Sequence, residues 1–289
     1  MTEPSGGLEQ LLADRRAKVA ALRAAGIEPY PASFGDRVPI ADARATADPL
    51  EPGETSDTVV RVAGRLVARR GQGRIAFLDI ADESGRMQVM APVDRLGEDG
   101  LARVLETDLG DLVGIEGAVA RTRRGEPSVA ADTFTLLAKS LRPPPDKHAG
   151  LKDTETRFRR RYLDMLSDPE AREVFAVRAR AVAAIRRHLD GRGFIEVETP
   201  ALQPIYGGAS ARPFVTHHNA LDRDLALRIA PELYLKRCVV GGMERVYEIG
   251  KMFRNEGISF KHNPEYTSLE SYEAYADYND VMRTLEGLV

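Results

Sequence analysis

Apolar residues recur at helical spacing near the N-terminus. Leu8, Leu11, Leu12, Val19 and Leu22 share one face, and Gly26 with Pro29 ends the run. The spacing predicts an amphipathic helix over 8–25, packed on the domain behind it. Residues 29–57 are rich in Pro, Ala, Asp and Thr and read as a loosely structured connector. From Thr58 the period falls to two. Strands are expected at Val59–Arg69, Arg74–Ile80, Arg86–Met90, Leu112–Ala120 and Thr133–Ala138, with a helical insert at Val93–Leu105. Pro143, Pro144 and Pro145 stiffen the exit into a linker. The helical period returns from Ala171 to Asp190, where Val174, Val177, Ala181, Ala184, Ile185 and Leu189 form one stripe. Phe194–Glu198 reads as a strand stopped by Thr199 and Pro200. A long hairpin follows. Val246–Ile249 leads into Met252, Phe253 and Arg254, and the chain returns from Tyr266 through Tyr272. Its loop carries Gly257 and Asn263-Pro264, both turn formers. A further amphipathic helix begins near Asn279.

This pattern divides the chain into a helix and connector (1–57), a β domain (58–142), a linker (143–170) and a mixed domain (171–289). The expected class is α+β. Five strands with a helix before the fourth is the layout of an OB-fold barrel. Such barrels bind single-stranded nucleic acid on the face of strands two and three. Phe77 and Gln88 fall there. A ring gives a base a stacking surface, and an amide can read a Watson–Crick edge. Taken alone, Phe77 in a strand is more often a core residue.

Composition changes this picture little. Hydrophobic residues make up 43% and charged residues 29% of the 289, which is ordinary for a globular chain. The formal charge of −3 supplies no global field for nucleic acid, so any RNA contact must be local. The single cysteine, Cys238, excludes a disulfide framework and reads as a packed thiol. The N-terminus lacks signal-peptide layout, and no apolar run approaches the roughly 18 residues of a membrane span. A soluble cytoplasmic protein is expected, with no membrane partner. No Ser-His-Asp or Cys-His arrangement suggests a protein nucleophile.

The hairpin carries the chemistry. An arginine where a strand meets its loop can grip a phosphate bidentately while the strand fixes its direction. The run from Phe253 to Ser259 reads FRNEGIS, and His262 to Glu265 reads HNPE. With GGASARPF (207–214), THHNALD (216–222) and LRIAPELYLKR (227–237), this closely resembles motif 2 and its surroundings in class II aminoacyl-tRNA synthetases, in the form used by bacterial-type lysyl-tRNA synthetases. The resemblance spans nearly the whole chain. It implies an antiparallel class II sheet with flanking helices after the barrel. It also implies ATP-dependent activation of L-lysine and transfer to the 3′ end of tRNA(Lys). Arg254 is then the catalytic residue at the α-phosphate, joined in ATP binding by Glu256, His262, Asn263 and Tyr266. Gly208, Glu232, Glu270 and Tyr272 become the lysine site. An ammonium stripped of water needs carboxylates to meet it, which agrees with two glutamates. Aspartyl- and asparaginyl-tRNA synthetases share the plan, but their pockets call for a cationic or neutral lining. Phe77, Gln88 and, less securely matched, Glu126 would read anticodon uridines. The 171–190 helix and following strand resemble motif 1, which implies a homodimer. Arg15, Arg16 and Lys18 belong first to a packing helix, with a tRNA backbone contact as the second reading by resemblance; the dense basic run Arg157, Arg159, Arg160 and Arg161 reads as a solvated helix face or as a salt-sensitive tRNA backbone contact at the domain hinge.

One part of the pattern is missing. Nothing matches the third class II motif, whose arginine clamps the γ-phosphate, or the acidic residues that hold Mg²⁺. No metal ligand is assigned here; Mg²⁺ is expected to be held by a missing C-terminal part. The chain therefore reads as a fragment with little activity alone. The alternatives are a natural short form that binds tRNA without activating lysine, and a relative that attaches lysine to a protein or lipid.

Overall fold

The computed structural model describes residues 5–145, 150–259 and 261–289, so residues 146–149 of the expected linker lie outside them. The chain forms two compact units, Met1–Pro169 and Glu170–Val289.

In the first unit, strands β1 (Thr55–Gln72), β2 (Ile75–Ala81), β3 (Arg86–Pro92), β4 (Leu112–Arg121) and β5 (Pro127–Ala138) close into a barrel in the order β1-β2-β3-β5-β4. Alternation explains the closure. Ala76, Leu78 and Ile80 of β2 and Met87, Val89 and Ala91 of β3 point inward, and residues between them face out. β3 and β5 pair in parallel, through Gln88↔Ser128 to Met90↔Ala130. Gly117 sits at a register shift of β4 against β5, and a Cβ there would lie 2.0 Å from the Ala130 carbonyl oxygen. Only glycine lets the two backbones approach so closely. Helix α3 (Val93–Glu106) adds Val93, Leu101 and Val104 to the barrel core.

The connector is more ordered than its composition suggests. It holds helix α2 (Ile40–Ala47), whose Ile40, Ala43 and Ala47 are fully buried in the same core. Their i, i+3, i+7 spacing was hidden by surrounding Pro and Asp. Helix α1 (Ser5–Ala24) packs on the barrel as expected, but two of its cations are taken up internally. Arg15 is buried and donates to the carbonyls of Ser140 (2.6 Å), Arg142 (3.2 Å) and Leu109 (3.3 Å). Lys18 pairs with Asp108 at 2.9 Å. The buried bonds of Arg15 agree with a packing helix, while Lys18 remains partly exposed and Arg16 exposed. The linker arginines are likewise engaged. Between α4 (Thr154–Arg159) and α5 (Arg161–Ser167), Arg157 reaches Asp164 at 2.7 Å and Asp168 at 3.3 Å, and Arg159 reaches Glu155 at 2.7 Å. Arg161 also bonds the buried Asp164.

The second unit is built on the hairpin of β10 (Arg245–Phe253) and β11 (Glu265–Glu273), in unbroken register from Arg245↔Glu273 to Phe253↔Glu265. A short β6 (Ile195–Glu196) pairs in parallel with β10, so the expected strand shrinks to two residues. Strands β7 (Leu202–Gln203), β9 (Arg223–Leu227) and β8 (Val215–His218) form a second small sheet. Helix α6 (Pro169–Gly191) uses Ile185 and Leu189 to pack on Phe194, Tyr247, Ile249 and Leu269. Its earlier turns do not pack this way: Val174 is 66% and Val177 49% exposed. Helix α7 (Glu232–Val240) lies against the hairpin, and α8 (Tyr278–Leu288) opens on a capping box from Asp277 and Asp280.

Candidate functional site

Antiparallel register sets the face of the hairpin that matters. Met252↔Tyr266, Glu248↔Glu270 and Val246↔Tyr272 are opposite pairs, so Tyr266, Glu270 and Tyr272 share one face with Glu248. Arg254 follows the last ladder pair, its backbone N–H donating to the Pro264 carbonyl at 2.8 Å. Its guanidinium carbon lies 5.3 Å from the Tyr266 ring centroid. Its Nε is buried and has no hydrogen-bond partner. A buried N–H without an acceptor is costly, and an anion placed against this guanidinium would supply one.

The acid side of the site is equally incomplete. Burial pushes the Glu270 carboxyl above the ordinary carboxylate range; the Tyr272 hydroxyl and the Arg254 guanidinium oppose this, while Glu232 and Glu248 add to it. Tyr272 donates to Glu270 Oε2 at 3.3 Å, and its own hydroxyl is pushed up by burial and by Glu270. Glu232 opens α7 and accepts from Lys236 at 2.6 Å, whose ammonium stands 5.9 Å from the Tyr272 ring centroid. Gly208 has φ +85°, and a Cβ there would meet Glu232 Cβ at 2.7 Å. The loop therefore lies flat against the start of α7 only because the side chain is absent. Of the three carboxylates here, Glu232 is paired with Lys236 and Glu248 with Arg228, while Glu270 has a hydrogen bond from the Tyr272 hydroxyl and no ion pair among the described residues.

Beneath it lies a pair that sequence reasoning missed. Arg228 and Glu248 are both buried and bonded to each other, with Thr199 donating to Glu248 Oε2 at 2.6 Å. Gly250 makes room for the guanidinium, since a Cβ would sit 2.2 Å from Arg228 Nη2. The apolar frame around Arg228 gave no signal of a buried ion pair. The remaining expected residues stay apart. Glu256, His262 and Asn263 are exposed on the hairpin loop, where His262 Nδ1 faces Ser259 Oγ at 2.8 Å. Among the described residues no group of three or more His, Cys, Asp or Glu is placed to hold a metal ion.

In the first unit, Phe77, Gln88 and Glu126 line one groove of about 1050 Å³ on the outer face of β2 and β3. Phe77 stands opposite Met90 and Gln88 opposite Asp79. Glu126 sits on the β4–β5 turn, where it pairs with Arg44 at 3.6 Å. Arg70, Arg86, Arg121, Arg123 and Arg124 also line the groove, a local basic surface on a chain of net charge −3.

Comparison with known proteins agrees with both halves. Residues 153–289 match the model of class II tRNA synthetases (D, K and N), and residues 60–137 that of the OB-fold nucleic acid binding domain. A lysine–tRNA ligase of Roseiflexus sp. (strain RS-1) is 55% identical over 284 residues, covering 97% of this chain. Those of Pelotomaculum thermopropionicum and Magnetococcus marinus are 51% and 49% identical, covering 98% and 97% of it. Over nearly its whole length the chain is similar to lysine–tRNA ligases. It spans 57%, 55% and 56% of the lengths of these three relatives, respectively. No helix among the described residues is long and apolar enough to cross a membrane.

Proposed function

We propose that the whole protein is a lysine–tRNA ligase and that this chain carries its anticodon reader and much of its lysine and adenylate site. The observation that carries this reading is the pairing of opposites on one hairpin face: a guanidinium with a buried unsatisfied Nε near the Glu270 carboxyl, which has no ion pair among the described residues. The lysine carboxylate and the ATP α-phosphate are anions that suit Arg254. The lysine amines suit Glu232 and Glu270, with Tyr272 fixing Glu270 and Gly208 admitting the substrate backbone.

In the proposed reaction a lysine carboxylate oxygen attacks the α-phosphorus. The α–β phosphoanhydride bond breaks, and pyrophosphate leaves with its electron pair. The 3′-terminal hydroxyl group of tRNA then takes the acyl group, releasing AMP. No protein nucleophile is needed; positioning and charge stabilisation lower the barrier. Tyr266 stacks on adenine while Arg254 neutralises charge at phosphorus. Glu256 accepts from the adenine amino group or orients Arg254, and His262 and Asn263 contact the ATP tail. Mg²⁺ accompanies ATP in such chemistry, but the described residues offer no cluster for it, so no step is assigned to the ion.

Phe77, Gln88 and Glu126 read the uridines of the tRNA(Lys) anticodon in the barrel groove. The exposed Val174 and Val177 of α6 support a homodimer through that helix. A cytoplasmic location fits this role. Lysine-dependent ATP–pyrophosphate exchange by the full-length protein tests the proposal. Exchange with lysine and none with aspartate or asparagine is expected; the reverse preference overturns it.

A further inference from the structure

The geometry points to Ser128 as the residue that decides which bases the barrel groove accepts, by anchoring the Gln88 amide through its oxygen. This rests on the proposal above that the groove reads RNA.

Ser128 is the second residue of β5 and the direct Cα partner of Gln88 across the parallel β3–β5 pair. It is fully buried. Its Oγ donates to Gln88 Oε1 at 3.1 Å and stands 3.2 Å from the Glu126 carbonyl oxygen. A hydroxyl carries one proton, and both neighbours are acceptors. Directed at Oε1, the nearer of the two acceptors, that proton holds the oxygen end of Gln88 and leaves the amide NH₂ as its free end. That NH₂ makes no hydrogen bond to protein among the described residues, and the side chain lines the groove. Asp79, the neighbour of Gln88 on β2, is already engaged by Arg70 at 3.4 Å.

An NH₂ group offers donors only. On a base edge it pairs with an exocyclic carbonyl, such as uracil O4, and faces hydrogen against hydrogen at the cytosine amino group. Phe77 alone is indifferent here, since every base has a π-face. The preference for uracil over cytosine thus resides in the amide orientation, and the orientation resides in Ser128. Without the hydroxyl, Oε1 loses its partner and the amide is free to turn over. It can then present Oε1 to the cytosine amino group.

The test uses the full 289-residue chain and RNA hairpins whose loops differ only by U or C at each of three central positions, with binding followed by fluorescence anisotropy. The unaltered protein should favour U at one position by about tenfold. Ser128→Ala should narrow that ratio to within about threefold at unchanged melting temperature. Ser128→Thr, which keeps the hydroxyl, should retain the ratio. Gln88→Glu, which offers only acceptors, should shift it toward C. If Ser128→Ala binds both hairpins more weakly by the same factor, or keeps the full preference, the serine has no orienting role. If the unaltered protein binds none of the hairpins, the RNA-reading proposal itself fails, an outcome distinct from the first.

Discussion

At the scale of single residues, the site is defined by what its side chains lack. Arg254 has a buried Nε without an acceptor, and burial raises the Glu270 carboxyl above the ordinary carboxylate range. Replacing Glu270 by Gln in the full-length enzyme should raise the lysine KM about 30-fold, because one charged hydrogen bond contributes about 2 kcal/mol. The KM for ATP should change little, and steady-state exchange kinetics separate the two. The pH dependence follows from the raised pKa. An ammonium needs the ionised carboxylate, so lysine affinity is full above the Glu270 pKa and falls as pH drops through it. This loss begins at a higher pH than for an ordinary glutamate. Stability of the empty site has the opposite sign: the protonated form is favoured there, so the contribution of Glu270 is lost as pH rises through the same range. A titration of lysine binding should show this acidic limb in the wild type and not in Glu270→Gln. Gly208→Ala should fold with a loss of about 1–2 kcal/mol from its positive φ and its collision with Glu232. Its lysine KM should rise as well, by the same exchange assay.

At the scale of elements, one arginine of α1 is a structural pin. Arg15 ties α1 to three carbonyls behind the barrel. Arg15→Met should cost about 1–2 kcal/mol by removing hydrogen bonds to three part-buried carbonyls, read as a lower urea midpoint. Helix α6 shows the opposite case. Its stripe was legible, but only its second half is used within this chain, leaving Val174 and Val177 exposed. Val177→Asp should shift the full-length protein toward monomer in sedimentation or light scattering, since a charge in an apolar interface is costly. An unchanged mass would remove α6 from the interface.

At the scale of the whole molecule, a chain with an excess of acidic residues carries a basic groove, so affinity for RNA should depend on where charge lies. Arg123→Ala with Arg124→Ala should weaken anisotropy-measured binding of all RNA hairpins and make the dependence on salt shallower by about two phosphate contacts.

The barrel strands, the hairpin and the identity of Arg254, Glu232, Glu270, Phe77 and Gln88 as candidates could all be read from the chain. Alternation and helical spacing are local, and short motifs keep their chemistry in their letters. Helix α2 escaped because three buried apolar residues in a Pro- and Asp-rich stretch carry too little signal. The Arg228–Glu248 pair, the internal bonds of Arg15 and Lys18, and the Ser128–Gln88 bond join residues 20 to 127 positions apart. Partners at that separation are selected by packing and register, which place two side chains within 3 Å or so only after the sheets have closed. That is why residue types announced the chemistry, while folding alone settled which charges are spent inside the protein and which remain for a ligand.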